Sequence, residues 1–240
     1  MSDVLVFVPA WNEEQNLPAV LDDLRRVLPD ADVLVVDDGS TDRTADVSRE
    51  HGAEVLSLGR NRGLPVGIAA GYRWALEHDY AYCGRVDADG QHPAAELSRL
   101  LELVRADRCD VAVGSRFVSG EGYAPYRYRP DRTRSLGTAV LRRAMALVLR
   151  RPFGDATSGL YAVNAKALPL LAEEFTTEAP EVEALIRVVD AGLRLEEVPV
   201  NMAARASGES KLRGGKAIKV VLTVAGALAA AKLIQARRPR

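Results

Sequence analysis

The sequence has little of what disulfide and zinc frameworks require. It contains two cysteines, Cys83 and Cys109, and three histidines, with no Cys-x-x-Cys spacing and no histidine cluster. Small secreted domains carry many more cysteines, and structural zinc sites need clustered Cys and His ligands. We therefore predict a reduced, cytoplasmic protein without a disulfide framework or a structural zinc ion.

Excess charge and an export signal are also missing. The formal net charge is -1, with 32 basic and 33 acidic residues, so the charge balance does not favour nucleic acid as a partner. The first apolar run, "VLVFV", is short and follows Asp3 rather than a basic region, which argues against a signal peptide. We expect neither nucleic-acid binding nor export by that route.

The common phosphate-binding loops are absent after the first predicted strand. "PAWNEE" stands where a dinucleotide fold would place GxGxxG and a P-loop protein GxxxxGK[ST]. We therefore do not expect a dinucleotide site of the GxGxxG type or an ATP site of the P-loop type.

The pattern that is present is that of an α/β protein. The composition, 48% hydrophobic and 27% charged over 240 residues, is that of a globular chain. Segments of helical periodicity separate short β-rich runs at 4–8, 33–36, 54–58, 82–86 and 111–114. This alternation predicts a mostly parallel sheet flanked by helices. A helix at about 136–150, a strand at 159–163, a helix at roughly 180–191 and a strand at 194–200 are predicted to follow.

Polar loops follow each of the first five predicted strands. They read "PAWNEE", "DDGSTD", "GRNRG", "DADGQHP" and "SRF". Turn and cap formation explains any one of them, but not all together. Because ligands of such folds bind at the carboxyl ends of the strands, the sequence predicts a site there.

The stretch "RVDADGQHP" predicts a metal site. Asp87, Asp89 and Gln91 offer hard oxygen ligands suited to Mg²⁺ or Mn²⁺, which also bind diphosphate. Residues two apart in a strand point to opposite faces, so the two acids share an ion only if the chain turns after Val86. The glycine that follows Asp89 favours that turn.

A second acid pair, Asp37 and Asp38, ends another buried strand in "VVDDGSTDRT". Gly39 allows a tight turn, and Ser40 can cap the following helix. Neither role explains two consecutive acids. We predict that an acid here accepts hydrogen bonds from ribose hydroxyls or a base edge.

These motifs together resemble those of one enzyme family. "VPAWNEEQNL", "VVDDGSTDRT", "NRGLPVGIAAGY", "RVDADGQHP", "VGSRF" and "RASGESKL" occur in an order and spacing similar to family 2 inverting glycosyltransferases with the GT-A fold. The likeness is greatest to polyprenyl- and dolichol-phosphate mannosyl- and glucosyltransferases. It implies a GT-A catalytic domain over 1–213, with a Rossmann-like, mostly parallel sheet and a C-terminal helical elaboration.

The resemblance also implies the site residues and the ligands. The donor would be a GDP- or UDP-hexose, and the acceptor a polyprenyl phosphate. The nucleotide-binding positions are Pro9, Asn12, Glu13, Asp38 and Asp87. The metal positions are Asp87, Asp89 and Gln91, for Mg²⁺ or Mn²⁺. The catalytic positions are Asp89, Arg116, Arg205, Lys211 and Glu183, and the acceptor-side positions are Arg132, Arg134, Ser135 and Ser210.

The acceptor decides whether a protein base is needed. An ionised lipid phosphate attacks without one, whereas a glycan or small-molecule hydroxyl must lose a proton. Glu178, Glu181 and Glu183 are candidate bases, and Glu183 best matches the family by spacing. A third alternative is a non-catalytic subunit that binds nucleotide-sugar. His92 is predicted either to touch a phosphate or to form a turn, and Trp11 either to contact the nucleotide or to cover the core.

The segment 214–240 is predicted to form a separate helix and basic tail. Its run of residues 220–231 carries no charge and is bracketed by Lys219 and Lys232, but a membrane span needs roughly 20 apolar residues. Two interpretations fit: an amphipathic helix at the inner face of the plasma membrane, or a core or dimer helix.

Overall fold

A computed structural model describes residues 2–120, 123, 143, 145–146, 149 and 152–203. Its strands are β1 (Val4–Ala10), β2 (Asp32–Asp37), β3 (Glu54–Ser57), β4 (Tyr82–Arg85), β5 (Val111–Ser115), β6 (Tyr161–Asn164) and β7 (Leu195–Pro199). Its helices are α1 (Leu17–Val27), α2 (Thr44–Glu50), α3 (Leu64–Glu77), α4 (Ala94–Arg105), α5 (Leu168–Leu171) and α6 (Pro180–Asp190). Most of the predicted helix at 136–150, the predicted boundary at 213 and the segment 214–240 lie outside the described residues.

The strands form one sheet in the order β3-β2-β1-β4-β6-β5-β7. β6 runs antiparallel to both of its neighbours, β4 and β5, and the remaining pairs are parallel. The predicted α/β fold with a mostly parallel sheet is therefore confirmed. The sequence pattern located β6 but gave no sign that it inserts between β4 and β5.

Helices cover both faces of the sheet. The side chains of α3, α5 and α6 pack on one face in a core that includes Ile68, Leu168 and Leu185. Those of α1 and α4 pack on the other, with Leu21 and Leu97 fully buried. This three-layer arrangement buries the apolar strands on both sides, as parallel sheets require.

Helix α6 shows how local sequence sets an element that later bears on the site. Pro180 occupies its first turn, where a missing N–H is harmless. Val182, Leu185 and Val188 recur at helical spacing and are buried. The helix ends before Gly192, whose φ of 72° lies in the left-handed region that glycine adopts readily.

One carboxylate ties three strands together at the edge opposite the predicted site. Asp110, which directly precedes β5, accepts hydrogen bonds from the backbone N–H of Arg194 at 2.9 Å and from its Nε at 3.0 Å. The side-chain amide of Asn164, at the end of β6, donates to it at 2.9 Å. The Arg194 hydrogen bonds hold the pKa of Asp110 well below its ordinary value.

No helix among the described residues has the length and apolar character to cross a membrane.

We predict that Asp110→Asn lowers the free energy of unfolding by about 2 kcal/mol at pH 7, because charge-assisted hydrogen bonds are lost. A depressed folded-state pKa stabilises the fold above the unfolded value of about 3.9, and this contribution is lost as the pH falls below it. Urea unfolding should therefore show the two proteins converging in stability from pH 4 downward. Asp107→Asn removes an exposed partner of the same arginine and serves as the control. An equal loss in the control would contradict the assignment to Asp110.

Candidate functional site

The carboxyl ends of the parallel strands β1, β2, β3, β4 and β5 meet at one side of the sheet, the carboxyl edge. The loops after these strands carry the polar sequences singled out above. The predicted donor-binding residues in these loops, among them Asn12 and Arg116, therefore all lie along the carboxyl edge.

Asn12 joins the first two of these loops. Its side-chain oxygen accepts the backbone N–H of Thr41 at 2.8 Å, and its own N–H donates to Ser40 Oγ at 2.9 Å. Its φ of 54° is left-handed, a conformation that asparagine tolerates. The N–H of Glu13 donates to Thr44 Oγ1 at 2.8 Å. Both predicted nucleotide-binding residues thus also hold the loop after β1 against the loop after β2.

The acid pair after β2 orders the neighbouring loops. Asp38 accepts the backbone N–H groups of Arg62 and Gly63 at 2.7 and 2.8 Å, one on each oxygen. Asp37 accepts the N–H of Ser40 at 3.0 Å. Both acids are buried, and these donors explain why two consecutive carboxylates are tolerated there.

Pro9 and Trp11 lie at the end of β1 and just beyond it. Pro9 is buried and pairs in register with Val36. Trp11 is 40% exposed, so it does not form part of the buried core. Its prediction as a nucleotide contact therefore remains in place, untested.

Asp87 is held from two sides. Nη2 of Arg85 lies 3.1 Å from its Oδ1, and a Cβ placed at Gly159 would lie 2.0 Å from its Oδ2. Burial alone would raise the pKa of Asp87, but the Arg85 guanidinium outweighs it, so its pKa lies below the ordinary value. Asp87 is therefore an ionised carboxylate in a restricted position.

The turn required after Val86 is present. Asp89 Oδ1 accepts the backbone N–H of Gln91 at 3.0 Å, and Gly90 has a φ of 72°. The carbonyl of Gln91 accepts the N–H of Ala203 at 3.0 Å. β4 ends at Arg85 and residues 88 and 89 form a turn, so the chain does not continue as a strand through the two acids.

The chemistry of this motif fits a hard cation. In the described part of the chain, no three His, Cys, Asp or Glu side chains cluster in a way that would hold a metal ion. A pair of carboxylates suits Mg²⁺ or Mn²⁺ instead, since these ions complete their shell with water and substrate phosphate. Asp87, Asp89 and the amide of Gln91 are the residues that would hold it.

His92 lies beside this motif. Its side chain is 5% exposed, and Nε2 is 4.0 Å from Asp87 Oδ2. Burial lowers the pKa of His92 below its ordinary value, so the ring is neutral at pH 7. Nδ1 is buried and has no hydrogen-bond partner among the described residues.

Arg116 is clamped by a buried acid. Its Nε and Nη2 donate to the two oxygens of Asp155 at 2.5 and 2.6 Å, and Nη2 also reaches Thr157 Oγ1 at 2.9 Å. Burial disfavours the charged form, but Asp155 outweighs it and raises the pKa of Arg116. Asp155 is in turn placed by Glu197 of β7, which accepts its N–H at 2.8 Å.

Glu183, the predicted base, is engaged in the fold. Its carboxylate accepts the N–H groups of Thr176 and Thr177, each at 3.0 Å, and pairs with Arg187 at 2.6 Å. Burial would raise its pKa, but the hydrogen bond from Thr176 and the Arg187 contact lower it overall. Its assignment as a base remains a prediction.

Some residues at the carboxyl edge were not predicted from the sequence, namely Arg85, Asp155, Gly159 and Glu197, and Glu181 was considered only as a base. Of these residues, only Arg85 could have been noticed in the sequence, because it is a charged residue inside the apolar run "YCGRV". The predicted residues Arg132, Arg134, Ser135, Arg205, Ser210 and Lys211 lie outside the described residues.

Comparison with known proteins agrees with this architecture. The family model "Glycosyl transferase family 2" matches residues 5–168. An undecaprenyl-phosphate mannosyltransferase of Micrococcus luteus is 36% identical, with 92% of each chain covered. A polyprenol monophosphomannose synthase of Mycolicibacterium smegmatis is 31% identical, with 92% of this chain and 85% of that protein covered. The chain therefore belongs to glycosyl transferase family 2 and is a glycosyltransferase.

Solved structures support the fold. Glucosyl-3-phosphoglycerate synthase from Mycobacterium tuberculosis, in complex with Mn²⁺, UDP-glucose and phosphoglyceric acid, superposes with a TM-score of 0.70 at 21% identity. The match covers 94% of this chain and 79% of that one. The same enzyme with Mg²⁺ and UDP gives a TM-score of 0.69 at 20% identity. The predicted GT-A fold is thereby confirmed.

We predict that Gly159→Ala lowers the sugar-transfer rate by about 100-fold, because the added methyl displaces the Asp87 carboxylate and small misplacements of reacting groups cost this much. The measurement is initial rate beside thermal stability. Gly67→Ala is the matched control, since a Cβ at Gly67 meets Pro9 Cβ at an ordinary 3.7 Å. Unchanged activity in a folded Gly159→Ala protein would show that the position of Asp87 does not matter.

Proposed function

We propose that this glycosyltransferase moves a hexose from a nucleotide diphosphate-sugar to a polyprenyl phosphate, with inversion at the sugar carbon. The observation that supports the proposal is the turn after β4, in which Asp89 accepts the N–H of Gln91 and Asp87 is held by Arg85. The bacterial relatives described above are named an undecaprenyl-phosphate mannosyltransferase and a polyprenol monophosphomannose synthase. A mannosyl donor is the leading expectation.

In this proposal, transfer from the diphosphate donor requires a divalent cation. Asp87, Asp89 and Gln91 would hold Mg²⁺ or Mn²⁺, which neutralises charge on the departing diphosphate. The fold neighbours are described with Mn²⁺ or Mg²⁺ together with UDP. The donor on this proposal is a GDP- or UDP-hexose.

The nucleoside would lie over the loops after β1, β2 and β3. Asp38 fixes Arg62 and Gly63 beside the start of α3, which makes a defined surface for the nucleoside. In the proposed arrangement, the border of this surface is formed by Pro9, Asn12 and Glu13. Arg116, Arg205 and Lys211 would act on the phosphates, Arg116 in an orientation fixed by Asp155.

A phosphate acceptor agrees with how the candidate bases are used. Glu183 accepts backbone hydrogen bonds and pairs with Arg187, and Glu181 pairs with Arg85 at 2.8 Å. Burial would raise the pKa of Glu183, but the hydrogen bond from Thr176 and the Arg187 contact lower it overall, so this carboxylate has little tendency to take a proton. A phosphate monoester is largely ionised at pH 7 and needs no base, so attack in line with the leaving diphosphate completes the reaction.

The acceptor also implies a place in the cell. A polyprenyl phosphate is anchored in lipid, so we propose that the protein works at the inner face of the plasma membrane as a peripheral protein. The segment 214–240, with its uncharged run and basic tail, is the proposed membrane contact, and Arg132, Arg134, Ser135 and Ser210 are proposed on the acceptor side.

We predict that radiolabelled sugar, offered as a panel of GDP- and UDP-hexoses with Mn²⁺, appears in organic-extractable polyprenyl phosphate. Asp89→Ala should lower this transfer by about 100-fold or more, because the metal contributes several kcal/mol to the transition state. Asp107→Asn, an exposed acid at the opposite edge of the sheet, is the control and should leave transfer unchanged.

The outcomes separate the alternatives. If the wild type hydrolyses a nucleotide-sugar but leaves the lipid unlabelled, the acceptor is a hydroxyl compound and the lipid-phosphate proposal is wrong. If it binds a nucleotide-sugar and neither transfers nor hydrolyses it, a non-catalytic binding role is favoured. If transfer survives in Asp89→Ala, the metal assignment is wrong.

A further inference from the structure

Arg85 is a buried charge in an apolar layer. Its side chain is 2% exposed on β4, on the same face as the core that contains Tyr72 and Tyr161. Its guanidinium carbon lies 5.9 Å from the ring centre of Tyr161. Such a charge would be strongly destabilising without partners, so its partners explain why the position is tolerated.

Those partners are two carboxylates from different parts of the chain. Nη2 of Arg85 donates to Asp87 Oδ1 at 3.1 Å and to Glu181 Oε1 at 2.8 Å. Burial disfavours the charged guanidinium, but Asp87 and Glu181 outweigh it and raise the pKa of Arg85. Nη2 of Arg85 therefore links Asp87, a predicted metal ligand, to Glu181 in the first turn of α6.

The link determines how Asp87 is presented. Its Oδ1 accepts the hydrogen bond from Arg85, Oδ2 lies 4.0 Å from His92 Nε2, and Gly159 lies against both oxygens. Arg85 thereby fixes the carboxylate, while lone pairs on its oxygens remain for a cation. A carboxylate fixed by an outer partner binds metal better than a mobile one, and loss of such partners typically costs 10–100-fold in metal affinity.

The negative charge of Glu181 offsets the positive charge that Arg85 places beside Asp87. A cation 3.1 Å from Asp87 would by itself oppose the binding of a second cation at the same carboxylate. Glu181 supplies a compensating negative charge from the other side, with its side chain 14% exposed. The three groups together keep the net charge near Asp87 at minus one, favourable for a divalent ion.

We infer that Arg85 and Glu181 are positioning residues for the divalent cation: Arg85 orients Asp87, and Glu181 keeps the local charge negative. This inference rests on the proposed function, which assigns the cation to Asp87 and Asp89. Neither residue needs to touch substrate, so both act through Asp87.

The test is a Mn²⁺ titration by electron paramagnetic resonance, with GDP or UDP present, on the full chain. Glu181→Gln keeps the hydrogen-bonding shape but removes the charge, and should weaken Mn²⁺ binding by about tenfold. Arg85→Lys keeps the charge but loses the planar guanidinium that donates to both acids, and should weaken it similarly. In transfer assays the Mn²⁺ concentration for half-maximal rate should rise in parallel, while kcat at saturating Mn²⁺ changes much less.

Arg194→Lys is the matched control. It also disturbs an arginine paired with a buried acid, Asp110, but at the opposite edge of the sheet. It should lower the melting temperature without changing Mn²⁺ affinity, whereas a purely structural role for Arg85 and Glu181 would make all three variants behave in this way. Glu181→Gln is the milder change and keeps the test decisive if Arg85→Lys does not fold.

The failures can be told apart. If the wild type binds Mn²⁺ and both Glu181→Gln and Arg85→Lys bind it equally well, the positioning role is overturned and the metal proposal stands. If the wild type binds no Mn²⁺ with either nucleotide, the metal proposal and this inference are both overturned.

Discussion

Carboxylates that accept backbone N–H groups hold the carboxyl edge together, and the site depends on them. Asp38 fixes the loop after β3, Glu183 fixes the loop before α6, and Glu197 fixes the turn that carries Asp155. Loops at the end of a sheet have no ladder to satisfy their backbone, and a buried unpaired N–H is costly. An ionised acceptor meets this need more strongly than a neutral one. The acids of such a site are therefore partly structural, and only some are left to meet a ligand.

The antiparallel strand β6 determines what lies beside the acid pair. It enters the sheet between β4 and β5, with Arg85 in register with Tyr161 and Val113 in register with the same residue. Because β6 begins at the carboxyl edge, the residues just before it, including Asp155 and Gly159, lie at the ends of its neighbours. One inserted strand thus supplies the surface against Asp87 and the acid that clamps Arg116. A fully parallel sheet would place the start of that strand at the opposite edge.

Much of this arrangement follows from sequence patterns, and the remainder does not for a physical reason. Alternating apolar runs predicted the sheet, and the glycine after Asp89 predicted the turn that the structure contains. Local patterns carry no information on pairing between distant segments, so the contact of Arg85 with Glu181, separated by 96 residues, could not be read from them. Glu183 is a further example. The family resemblance predicts a base there, and the structure adds hydrogen bonds to the backbone of Thr176 and Thr177 that local patterns did not indicate.

Charge balance at the carboxyl edge bears on the mechanism. Arg85 and Arg116 both lie at this edge, and each forms ion pairs. Arg85 pairs with Asp87 and Glu181, and Arg116 pairs with Asp155. His92 is held neutral by burial. Paired cations contribute orientation and hydrogen-bond donors more than net charge. In the described part of this edge, the exposed arginines Arg60 and Arg62 follow β3, so the proposed divalent cation would add to them in neutralising a departing nucleoside diphosphate.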